Sequence, residues 1–166
     1  MPPPTTDLIR TALLDCVTTS DDLVRDELLG WLDSKRRHVI AQVEAMPAEA
    51  RRRTHVPSGW TPLGLVRHLT LDVERVWLRG AMAGEPVEIP QGYDGWVAPD
   101  GLSDEQVLQD YRDECREASA AVASMPLGQG LAWWFDGERP YSSLREVLLH
   151  VLVETTTPRR PPRHLP

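Results

Sequence analysis

Lysine is almost missing from this 166-residue chain: of the 18 basic residues, 17 are arginine and one is Lys35. With the alanine and 15 prolines, that usage points to a GC-rich genome. Cysteine is as scarce. Cys16 and Cys115 make no CxxC pair, allow at most one bridge, and read as small buried hydrophobes in a reducing compartment, so the cytoplasm is the expected location. Phenylalanine occurs once, and the longest uncharged apolar stretch, Val147 to Val153, falls far short of the roughly 20 residues a membrane span needs. The opening Met1-Pro-Pro-Pro-Thr-Thr-Asp has no basic and apolar signal pattern. Positive charge is also in deficit, with 25 acidic residues and a net charge of -7, which leaves no basic face for nucleic acid. The run Arg51-Arg52-Arg53 reads as a solvated helix exit.

At 41% hydrophobic and 26% charged, the chain fits one domain with one core. Residues 1–20 mix proline, threonine and short apolar pairs and read as a loosely docked arm. From Asp21, Leu28, Leu32, Val39, Val43 and Met46 recur at helical spacing, with Asp21 or Asp22 as cap and Pro47 as stop. A second helix starts with Thr61 as cap and Pro62 at its first position, presents Leu65, Leu69, Val73, Val76 and Trp77, and is closed by Gly84. Residues 85–102 form a long connection with Tyr93 and Trp96 as anchors. Ser103 and Gln106 form a capping box that opens a third helix through Val107, Leu108, Tyr111, Cys115, Ala118 and Val122, with Pro126 beyond it. A stretch with Trp133, Trp134 and Phe135 precedes a fourth helix, capped by Ser142 or Ser143, through Leu144, Val147, Leu148, Val151 and Leu152. No segment reads as a strand. The pattern predicts an all-α four-helix bundle over 21–157 with long middle connections, followed by an irregular Pro/Arg-rich tail at 158–166.

Phosphate-loop, dinucleotide, serine-esterase and HExxH motifs are all absent, so polar residues on apolar faces carry what chemistry there is. His68 lies one turn from Asp72 and points to the bundle interior or its rim. It is either a core-edge histidine bonded to Asp72 or a ligand. His150 and Glu154 share a face of the fourth helix, and Glu154 follows the apolar run Val151-Leu152-Val153. Burying that carboxylate is costly unless a cation or donor meets it; the alternative is an exposed residue at a fraying end. Trp133 and Trp134 are either plugs of the bundle end or one wall of a ligand pocket.

The phrases Ser58-Gly-Trp-Thr-Pro-Leu-Gly-Leu-Val-Arg-His68-Leu and Val147-Leu-Leu-His-Val-Leu-Val-Glu154-Thr resemble the DinB-like (YfiT-like) superfamily of four-helix-bundle metalloproteins, most closely its actinobacterial, mycothiol-dependent-transferase-like branch. Asp26-Glu-Leu-Leu-Gly-Trp-Leu-Asp33 and Pro47-Ala-Glu-Ala-Arg-Arg-Arg53 extend the likeness over about residues 24–156. The resemblance implies a divalent metal, zinc or nickel, held by a histidine of the second helix and a pair four residues apart on the fourth. It also implies, for some members, thiol-dependent transfer or isomerisation with mycothiol or a similar thiol on a small-molecule substrate. Carried over, the ligands are His68 and Glu154, with Asp72 behind them and Asp72, Trp133 and Trp134 as pocket residues. The third ligand position holds Pro158, which leaves the metal site incomplete, since three protein ligands plus water is the usual catalytic zinc arrangement. If the proline tail is authentic, His150 is the substitute ligand. A GC-rich coding of the relatives' phrase Arg-His-Ala-Gly-His-Leu, read one base early, translates as Thr-Pro-Arg-Arg-Pro-Pro, which is Thr157 to Pro162 here, so the tail is expected to be a frame-shifted family ending. The alternative function is a non-catalytic bundle, either a metal-free remnant or a homodimer formed through apolar surface uncovered by the shortened last helix.

Overall fold

The computed structural model describes residues 5–54, 59–134 and 139–157, with side chains from Ser20 onward. Ser58, Phe135, the Cys16 side chain and the tail from Pro158 lie outside the described residues, as do the side chains of the N-terminal arm. The described chain is an all-α four-helix bundle. Its elements are α1 (Thr5–Ala45), a single turn α2 (Ala48–Arg51), α3 (Pro62–His68), α4 (Asp104–Val122) and α5 (Leu144–Thr156). The first helix starts not at Asp21 but at Thr5, and neither Asp21 nor Asp22 caps it. The prolines stop at Pro4, and from there to Pro47 the chain holds no proline and a single glycine, Gly30, so no strong helix breaker interrupts it.

Thr61 caps α3 as the sequence predicts, its hydroxyl accepting from the Gly64 N–H at 3.0 Å. Beyond His68 the helix does not stay α but widens into a π-helix over Leu69–Met82. At that junction the Thr70 hydroxyl donates to the Val66 carbonyl at 2.8 Å and competes for an acceptor of the α ladder. Gly84, at φ +73°, ends the segment; its N–H bonds to the Gly80 carbonyl at 2.9 Å. The capping box on α4 is complete, and Ser143 caps α5 by accepting from the Glu146 N–H at 3.4 Å.

Cross-helix pairs give the topology. Glu44 pairs with Arg112 and Arg36 with Ser119, so α1 and α4 are antiparallel. Arg75 pairs with Glu114 and Arg79 with Glu117, so the π segment and α4 run the same way. The Trp77 ring meets His150 at 4.6 Å, and Leu65 shares a cavity with Thr155 and Thr156, so α5 runs back along α3. Two parallel neighbours in sequence need a connection that returns the full length of the bundle, and residues 83–103 provide it. Within it a 3-10 turn, Asp94–Trp96, reaches the level of α3. Tyr93, one of the two expected anchors, is half exposed.

The apolar faces close one core that includes Leu32, Leu69, Leu78, Leu108, Tyr111 and Leu148. Arg51 and Arg52 are not a solvated exit. Arg51 donates to the Met46 carbonyl at 3.1 Å, and Arg52 to Asp104 at 2.9 Å and to the Leu102 carbonyl, fastening the end of α2 to the start of α4. No helix among the described residues is long and apolar enough to cross a membrane.

Candidate functional site

The second-helix histidine is held by two contacts. Its Nδ1–H donates to Oδ2 of Asp72 at 2.8 Å, one turn further along. Its ring lies flat on the Trp96 indole, centroids 3.7 Å apart and planes 14° from parallel. In a neutral ring whose Nδ1 donates to that carboxylate, the lone pair sits on Nε2. Nε2 is buried and has no hydrogen-bond partner among the described residues. A buried imidazole lone pair backed by a carboxylate is the arrangement in which histidines meet metal ions.

Glu154 is buried, 6% exposed, on the face of α5 that also carries the buried Val147 and Val151. It is not a fraying end, since the helix runs on to Thr156. On the same helix as Glu154, His150 meets Trp77, and Thr155 and Thr156 line a cavity together with Leu65, one turn before His68. His150 has other company: Nδ1 lies 3.0 Å from the Tyr141 hydroxyl and its ring packs edge-on against Trp77. Among the described residues no three His, Cys, Asp or Glu side chains come together as a group able to hold a metal ion. Two oxygen and nitrogen donors, His68 and Glu154, fit such an ion by chemistry; the position of the third, Pro158, is outside the described residues.

The two tryptophans part ways. Trp134 stacks on Trp77 at 4.6 Å within the cluster that includes Tyr141 and His150, while Trp133 is 40% exposed beside a cavity of about 230 Å³ at Gly84 to Val87. A larger apolar cavity, about 520 Å³, lies where α1, α3 and α5 converge, walled by Val43, Met46, Trp60, Leu65 and Thr155 with Lys35 at its edge.

Sequence reasoning missed the polar centre of the bundle. Arg36 of α1 donates through Nε to Glu74 at 2.7 Å and through Nη2 to its other oxygen at 2.5 Å; Nη1 reaches Ser119 at 2.7 Å. The Cys115 thiol lies 3.9 Å from the same carboxylate. Burial pushes the Glu74 carboxyl above its usual range against the pull of Arg36, and burial beside Glu74 pushes the Cys115 thiol far above its own. Burial alone would lower Arg36, but Glu74 outweighs it and holds the guanidinium charged. Glu74 was the available signal, an acidic residue one turn from Leu71, Trp77 and Leu78.

The fold and site together define a helical-bundle protein with an oriented imidazole on its second helix and a buried carboxylate on its last. A family model for mycothiol-S-transferase matches residues 27–157, and the chain belongs to that family, a branch of the DinB-like superfamily. No curated protein and no solved structure matches the chain.

Proposed function

We propose that the protein is a thiol-dependent transferase that joins mycothiol, or a thiol like it, to a small electrophilic molecule at a divalent metal held by His68 and Glu154. The observation that carries this reading is the buried Nε2 of His68, which has no hydrogen-bond partner among the described residues while Asp72 occupies Nδ1. A zinc or nickel ion bound there would lower the pKa of a coordinated thiol so that it is a thiolate at neutral pH. The chain's own part is to hold and to shield. Asp72 fixes the tautomer of His68, Trp96 covers one face of its ring, and Glu154 supplies negative charge that favours a cation at that level of the bundle. The apolar cavity lined by Trp60, Leu65 and Met46 lies at the same end, beside Thr155, and is the place for the apolar body of the second substrate.

The competing reading, a bundle that holds no metal and catalyses nothing, has in its favour that no three-donor group forms among the described residues. One experiment separates the two. Protein purified and equilibrated with zinc or nickel is analysed for bound metal, wild type beside His68→Ala, and both are assayed for loss of mycothiol with an electrophilic probe. Stoichiometric metal in the wild type, lost together with activity in His68→Ala, is the expected result. Equal and negligible metal in both leaves the bundle without its proposed chemistry.

A further inference from the structure

The turn at Gly95 and Trp96 has more to do with His68 than packing requires. The chain has 21 residues in which to return from the end of the π segment to Ser103, and it lays one indole flat on one imidazole on the way. Two glycines permit that approach and no larger residue would. A Cβ on Gly95 would stand 2.0 Å from Oδ2 of Asp72, the oxygen that accepts from His68. A Cβ on Gly64 would stand 2.2 Å from the Trp96 backbone carbonyl. Both contacts of the imidazole therefore depend on this turn, the stack directly and the Asp72 bond through the space left at Gly95, and the turn itself is seated on α3 through Gly64.

From these distances we infer that Trp96 is a positioning residue and the Gly95-Trp96 turn a clamp, setting the plane of the His68 ring so that Nε2 faces the cation it shares with Glu154. The inference rests on the reading of His68 as a metal ligand. Its physical basis is that the ring turns about two side-chain torsions, which the single Asp72 bond does not fully restrain, whereas a stacked indole also fixes the plane. A donor whose direction is set in advance binds a metal more tightly than one that must be ordered on binding, and partners of metal-bound histidines are worth about 10- to 100-fold in affinity.

Two measurements on the full chain test it. In the metal-free protein, the His68 ring protons take an upfield ring-current shift from the indole, read by NMR and identified by its loss in His68→Ala; the shift disappears in Trp96→Leu and persists in Trp96→Phe in reduced form. Nickel affinity, measured by competition with a chromophoric chelator, falls about tenfold or more in Trp96→Leu and in Gly95→Ala, and stays near wild type in Trp96→Phe. Val122→Ala, which removes buried methyl groups away from His68, lowers thermal stability without moving nickel affinity and so separates positioning from general loosening. Wild-type nickel affinity retained in Trp96→Leu, or the absence of a ring-current shift, overturns the clamp and leaves the ligand reading standing. A wild type that takes no nickel while showing the ring-current shift overturns the ligand reading and the clamp with it.

Discussion

Replacing Glu74 by alanine is the sharpest probe of how this bundle is held together. The carboxylate is fully buried and receives two guanidinium hydrogen bonds from Arg36, whose side chain is itself only 3% exposed. Removing it leaves a positive charge in the interior with Ser119 as its remaining partner at 2.7 Å. Breaking one side of such a pair costs about 3–5 kcal/mol, because the surviving charge keeps its desolvation penalty without its compensation. For a domain of this size, about 2–4 °C per kcal/mol converts that into a fall in Tm of roughly 6–20 °C. The pair links three helices through α1, the π segment and, by Ser119 and Cys115, α4, so the loss should appear as one cooperative transition at lower urea rather than as local fraying. The double variant Arg36→Met with Glu74→Leu removes both charges and should return to within about 1–2 kcal/mol of wild type, since apolar replacement of a buried pair is often neutral or better. Urea titrations followed by circular dichroism measure all three proteins. A cost below about 1 kcal/mol for Glu74→Ala, or a double variant as unstable as the single, would refute the account of a desolvated and mutually dependent pair.

Further expectations follow from single contacts. Glu146 accepts from the Ser142 backbone N–H and hydroxyl, which with the Ser143 bonds holds its carboxyl below the usual range. A lowered folded pKa contributes stability that is present above the unfolded carboxyl pKa and is lost as pH falls through the folded one; Glu146→Gln should therefore flatten the acid limb of a stability-versus-pH curve, and an unchanged limb counts against it. The Cys115 thiol, kept protonated by burial and by Glu74, should be labelled by a disulfide reagent in a Cys16→Ser background only as fast as the bundle opens, and rapid labelling of the native protein would contradict this. Ser103→Ala removes one half of the capping box and should cost about 1 kcal/mol by urea titration, with Gln106→Ala added to it contributing less than its separate effect because the two bonds are reciprocal. Pro158→His supplies an imidazole four residues beyond Glu154, and isothermal titration should find tighter zinc binding than in the wild type; identical affinity would remove the case for an interrupted ligand triad.

Caps, stops and apolar faces were fixed by local chemistry and could be read one segment at a time. Thr61 with Pro62, Ser103 with Gln106, Ser143 and Gly84 all mark their boundaries as residue type predicts, because capping depends on atoms within a few positions of the cap. His68 and Asp72 four apart were legible for the same reason. The start of α1 at Thr5 is not marked in the same way, because the threonines and short apolar pairs of the first 20 residues carry no clear helical period. What no local pattern contains is which elements meet. The Arg36–Glu74 pair, the π widening after His68 and the return of Trp96 to a ring 28 positions earlier in the chain each depend on helix order and direction. Those are set by how four apolar faces share one core, a quantity that belongs to the packed chain as a whole. The pairing of His68 with Asp72 was therefore visible in one dimension, while the stacking that orients the imidazole was decided only when the crossover loop closed over it in three.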